Sequence, residues 1–252
     1  MRVLAHGDVA GYGGGQVAGV QVPASADVSL GSHTLLGQED GSGANPAVTT
    51  AIDTQRDGSS FVVFNAGYAV NTRSPTDNKG NAWMQLGPAI VYRGYDGAFD
   101  VKAYAALAAR GGTGHAVSIV KNGRPQGELT LPFVEIRNAP ILQDFVQNYP
   151  AAGPVVSSGT VTTTGPAVLV AFWWGDGYFL NQSAIPGNGF SIIENFVDLP
   201  PNSAVQCVVA YRQVSAAGSY GVTWQQAPEQ GAVLWLFAFQ GASDVIFASG
   251  FD

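Results

Sequence analysis

Gly58-Ser-Ser-Phe-Val-Val-Phe64 is written twice, for Gly165-Pro-Ala-Val-Leu-Val-Ala171 follows 107 residues later. Each is a short apolar run bounded by turn-forming residues, which is how a buried strand reads. At the same spacing Val62 meets Leu169, Val63 meets Val170, Gly80-Asn81 meets Gly187-Asn188, and Ala103-Tyr104 meets Ala210-Tyr211. The spacing then drifts to 105, where Val117-Ser118-Ile119 meets Val222-Thr223-Trp224. At 103, Val134-Glu135-Ile136 meets Phe237-Ala238-Phe239. A match that keeps its order and shortens only in glycine-rich loops reads as an internal duplication.

Working outward, Phe99–Leu107 and Phe133–Arg137 extend the strand pattern, and no stretch carries a capped amphipathic helix. Ala103–Arg110 tolerates a helix, but its copy follows the β-type run Val205-Gln-Cys-Val-Val, so both are read as strand. The expected fold is all-β: two tandem antiparallel β-sandwich domains, residues 45–150 and 151–252. A Gly-rich leader, residues 1–44, with alternating Val17, Val20 and Val22, precedes them. Too short for a core of its own, it either adds to the first repeat or contacts a neighbour, and the favoured reading is an assembly segment that pairs with a neighbouring sheet edge. Pro140–Gly153 is read as the connector between the repeats. A single sandwich made of two half-units is the rival architecture.

Composition narrows the function classes. The chain has 252 residues, 46% hydrophobic, with 33 Gly, 14 Pro and only 12% charged residues. It is turn-rich and long enough to bury two cores. A net charge of −7 with 11 Lys and Arg gives no footprint for nucleic acid, and apolar runs of about eight residues are too short to insert in a membrane. The N-terminal residues do not read as a signal peptide, and the protein is expected to be soluble. A single cysteine, Cys207, allows no internal disulfide and reads as a small buried hydrophobe.

Comparing each chemically capable residue with its partner in the other copy weakens most catalytic readings. His6, His33 and His115 have no metal-ligand spacing, so neither a metal site nor a cofactor is expected. His115 aligns near Tyr220 and reads as strand-edge packing. Glu135 is the most tempting acid, but its partner is Ala238, and a salt bridge with Arg137 on the same face explains it better than glycosidase chemistry. Glu194 and Asp198 have no assignable second carboxylate. Asp77-Asn-Lys-Gly-Asn reads as an Asx turn rather than a cation loop. No Gly-x-Ser-x-Gly elbow is present, and Gly11-Tyr-Gly-Gly-Gly lacks the context of a phosphate cradle.

Two aromatic clusters remain as candidate ligand sites on the surface. One is Tyr92, Arg93, Tyr95 and Asp96, and the other is Trp173, Trp174, Asp176 and Tyr178. Rings beside carboxylates and a guanidinium suit a sugar, whose CH face stacks while its hydroxyls bond to polar tips. The competing reading packs alternate members inward.

Gly58–Asn65, Gly80–Leu86, Val101–Tyr104, Gly111–Val120 and Phe133–Ala139, with their second copies, resemble tandem Ig-like or jelly-roll-type repeats of phage virion (tail-associated) and bacterial surface proteins. The resemblance covers about 200 residues, and its motifs are β-sandwich signatures with none catalytic. It implies a non-enzymatic structural or attachment protein of a virion or cell surface. Its expected partners are itself, other virion or surface proteins, and host glycan. A carbohydrate-binding module pair is the alternative, and a glycan-acting enzyme the third reading.

Overall fold

The computed structural model describes residues 27–67, 73–94, 100–122, 124–176, 182–197 and 204–242. Among these, nearly all ordered backbone is β, in four antiparallel sheets. The first large sheet runs β1 (Ser29–Gln38), β9 (Leu129–Arg137), β3 (Asp57–Gly67), β7 (Asp100–Arg110) and β5 (Met84–Gln85), with β6 (Ile90–Val91) also on β7. The second runs β10 (Ile141–Asn148), β17 (Val233–Gln240), β12 (Ala167–Asp176), β15 (Val205–Val214) and β14 (Ser191–Phe196). Two small sheets complete the set. One is β2 (Ala47–Val48), β8 (Val117–Ile119) and β4 (Thr76–Asp77); the other is β11 (Gly153–Thr163), β16 (Gly218–Gln230) and β13 (Ser183–Pro186).

Burial orders these sheets into four layers. Phe61, Val63 and Phe133 pack with Val117 and Ile119, so the first small sheet covers one face of the first large sheet. Leu169, Ala171 and Trp173 pack with Val222 and Trp224 in the same way. The remaining faces meet each other: Val62, Phe64 and Val134 share a core with Val170, Phe172 and Phe237. Both β3 and β12 are therefore buried on two faces, which is why they read as unbroken apolar runs.

The two large sheets place their strands in the same order and pack so that each opposes the other in reverse. Phe64 stacks on Phe172 at the centre, with centroids 4.9 Å apart and planes 5° apart. On one flank β1 meets β14 through His33 and Glu194, and through Gly37 against the Phe196 ring. On the other, β10 meets the segment after β5, where Gln147 donates to the Pro88 carbonyl. Trp235 Nε1 donates to the Leu86 carbonyl between them. The two paths, alike in order, thus oppose one another in reverse, with the Phe64–Phe172 stack between them.

Three expectations change. Part of the leader belongs to the fold, because β1 pairs with β9 from Ser29↔Arg137 to Gln38↔Leu129. Part of the connector is likewise the edge strand β10, paired with β17. The leader's Val17, Val20 and Val22 lie outside the described residues. Finally, the spacing of 107 joins residues of opposite faces. Val62 faces the other large sheet, whereas Leu169 faces its own small sheet. Val62 pairs with Val134 and Val170 pairs with Phe237, so in pairing and facing the position of Val62 in its sheet is matched by Val170 in the other. Tyr104 likewise shares its facing with Ala210 rather than Tyr211. The spacings of 105 and 103 keep the facing of Val117 with Val222 and of Val134 with Phe237. Ala103–Arg110 lies within strand β7, as expected.

Candidate functional site

Strands β3 and β12 end at the same end of the stack, where β9, β15 and β17 begin. Glu128, just before β9, is buried and accepts from the Ala204 backbone N–H at 2.7 Å, tying the two large sheets together. Tyr92 opens a tight turn after β6 and is fully buried. Its hydroxyl donates to the Gly231 carbonyl at 2.8 Å, and its ring meets Trp174 edge-on at 5.0 Å. Arg93, in the left-handed region at φ 48°, lays its guanidinium over the Tyr92 ring. Its backbone N–H donates to the Tyr149 hydroxyl, and the Tyr149 ring stacks on Tyr92 at 5.5 Å. Tyr149 remains 37% exposed and Arg93 is exposed, so the cluster reaches the surface at these two residues.

Asp176, at the end of β12, completes it. Burial, followed by the nearby Glu128 charge, raises its carboxyl to about 6, with Arg93 opposing. Burial pushes the Tyr92 phenol up to about 12. A carboxyl whose folded pKa is raised binds its proton more tightly in the native state, so its cost to stability grows as pH rises from about 4 to 6 and is complete above that window. Asp176→Asn is therefore expected to be more stable than the parent chain at pH 8, by up to about 3 kcal/mol, and to lose that advantage at pH 4. Thermal melts of both proteins at the two pH values check this; an equal gain at both would remove Asp176 ionisation as the cause.

The structure thus joins the two predicted clusters, since Tyr92 touches Trp174 and Arg93 acts on Asp176. It also corrects their surface placement: Tyr92, Trp173 and Trp174 are fully buried and present no open ring face. Trp173 points to the opposite side of β12, where its Nε1 donates to Gln226 at 2.9 Å. Tyr95, Asp96 and Tyr178 lie outside the described residues. Tyr149 and Glu128 were missed by sequence reasoning. Tyr149 fell in a stretch read as connector, and Glu128 carried no pattern beyond one acid before a strand.

The other chemically capable groups hold structure. Glu135 accepts from the Gln55 and Ser32 backbone N–H groups, from Ser59 Oγ and from Arg137 Nε. The expected Arg137 bridge is present on that face. Asp77 forms the expected Asx turn, accepting from the Lys79 and Asn81 backbones. It also takes Trp83 Nε1 and sits 3.5 Å from His115 Nε2. Burial works to raise this carboxyl, but hydrogen bonds from His115, Asn81 and Lys79 outweigh it and hold it well below the usual carboxylate range. His115 is an interior residue rather than an edge one, wedged between Phe61 and Phe133. Glu194 partners His33 at 2.7 Å, and Asp198 lies outside the described residues. Cys207 is buried as expected, with its thiol pushed up by that burial.

No group of His, Cys, Asp and Glu among the described residues is arranged to hold a metal ion, and no helix among them is long and apolar enough to cross a membrane. Comparison with protein families, with curated proteins and with solved structures gives no match.

Proposed function

We propose that this chain is a non-enzymatic structural or attachment protein of a phage virion or bacterial surface, built from an internally duplicated β-sandwich. The observation that carries the reading is how the buried carboxylates are used. Glu135 and Glu128 each bind backbone N–H groups of distant segments, and Asp77 closes its own turn through the Lys79 and Asn81 N–H groups, so all three act as fasteners for loops and strands. The duplication is supported by the matching strand order of the two large sheets and by the Phe64–Phe172 stack at their centre. Under this reading the fused pair is a rigid scaffold that carries its contact surface at one end.

The end that holds Arg93, Tyr149 and Asp176 favours glycan as the contact. An exposed tyrosine ring beside a guanidinium and a carboxylate supplies stacking and hydrogen bonds together. Glycan-array binding by the whole chain, followed by titration of Tyr149→Ala and Arg93→Ala, tests it. Each variant is expected to bind at least about fivefold more weakly, roughly 1 kcal/mol, while keeping the far-UV spectrum of the folded parent. A flat array, or variants that bind as well as the parent, would leave the structural role and remove the glycan. Mass spectrometry of purified virions and of envelope fractions separates the two proposed locations.

A further inference from the structure

The outer face of the second small sheet is unlike the rest of the surface. Val155 and Ile185 are 56% and 53% exposed, the highest values among the large hydrophobics of the described residues. Both pair with Gln225, so Val155, Gln225 and Ile185 form one row across three strands. Below it lie Ser157 and Thr223, also paired, and then Thr160 opposite Gly221. Strands β11 and β13 contain no charged residue, and β16 contains only Glu229 near its end. Asp144 stands at the rim, accepting from Thr162.

We infer that this face is a homotypic interface on which a second copy of the chain sits. Two copies of a chain with net charge −7 associate at least cost through a face that adds little local repulsion, and on β11, β13 and β16 Glu229 is the one charged residue. The central residue of the row is an amide, which both donates and accepts and so can pair with its own counterpart across a two-fold axis. Edge-to-edge pairing through β11 is blocked. Asp144 takes the Thr162 N–H, Asn148 donates to the Ser157 carbonyl, and register shifts interrupt the strand at Gly153/Val155 and Ser157/Thr160. Contact on this side of the sheet is therefore through its face, where the Val155–Gln225–Ile185 row lies. Strands of 11, 13 and 4 residues give a footprint of about 450 Å² in plan, which places the contact among weak, concentration-dependent interfaces.

Sedimentation of the full chain over a dilution series is expected to show a monomer–dimer equilibrium. Val155→Lys and Ile185→Lys, each at an exposed site, are expected to weaken it at least about tenfold while leaving the melting temperature unchanged. Val48→Lys, on the outer face of the other small sheet and 47% exposed, is expected to leave it intact. A monomer at every concentration overturns the inference. So does association that survives both Val155→Lys and Ile185→Lys, or that Val48→Lys removes equally.

Discussion

Phe172→Ala is expected to destabilise the chain by about 3–5 kcal/mol. The side chain is fully buried, stacked on Phe64 at 4.9 Å and edge-on to Phe237 at 5.7 Å. Its removal opens a cavity between the two large sheets, where neighbours from four strands cannot all collapse inward. Phe172→Leu, which keeps most of the volume, is expected to cost well under half as much. Urea titrations followed by tryptophan fluorescence and by far-UV circular dichroism supply the measurement. The two probes should shift together, because this core joins both sheets. A loss below about 1 kcal/mol would mean that the sheets do not depend on one another through this pair.

Glu135→Ala is the second large effect, also about 3–5 kcal/mol. Its carboxylate is fully buried and serves four donors: Ser59 Oγ and the Gln55 N–H at 2.7 Å, the Ser32 N–H at 3.0 Å and Arg137 Nε at 3.3 Å. Alanine leaves buried Ser59 Oγ and the partly buried Ser32 and Gln55 N–H groups without their acceptor. Gly31 sets the tolerance on the other side, since a Cβ there would lie 2.3 Å from the carboxylate, and Gly31→Ala is expected to disturb the same lock. Hydrogen exchange distinguishes this account from general weakening. The Ser32 and Gln55 amides should lose protection in Glu135→Ala before the amides of β3 do. Uniform loss across the sheet would contradict it.

The β class was legible because alternation, turn residues and the lack of capped helical periods all agree along the chain. The partner of Arg137 was legible as well, since period 2 puts it on the face of Glu135. The register between the two large sheets was not. Strands β3 and β12 are buried on both faces, so their apolar runs have no alternation to fix which residue points where. In such a run a slip of one residue costs nothing in sequence similarity, yet turns every side chain to the opposite face. Val62 was thus set against Leu169, and only strand pairing through Val134 and Phe237 moved it to Val170.

Strands β1 and β10 escaped for a related reason. Edge strands with few fully buried residues carry a weak pattern, and their identity comes from the strand beside them, β9 or β17. The candidate site shows the same division. Its residue types were visible locally as tyrosines, tryptophans, an arginine and an aspartate near glycine turns. That Tyr92 and Trp174 are buried against one another, while Tyr149 carries the exposed ring, depends on packing one large sheet on the other. The amino-acid sequence by itself determined the strand class, the turns and the residue types at each loop, because these follow from local periodicity and backbone preference. Tertiary structure alone decided which face each buried strand presents and which aromatic ring meets solvent, because both depend on partners far away in the chain.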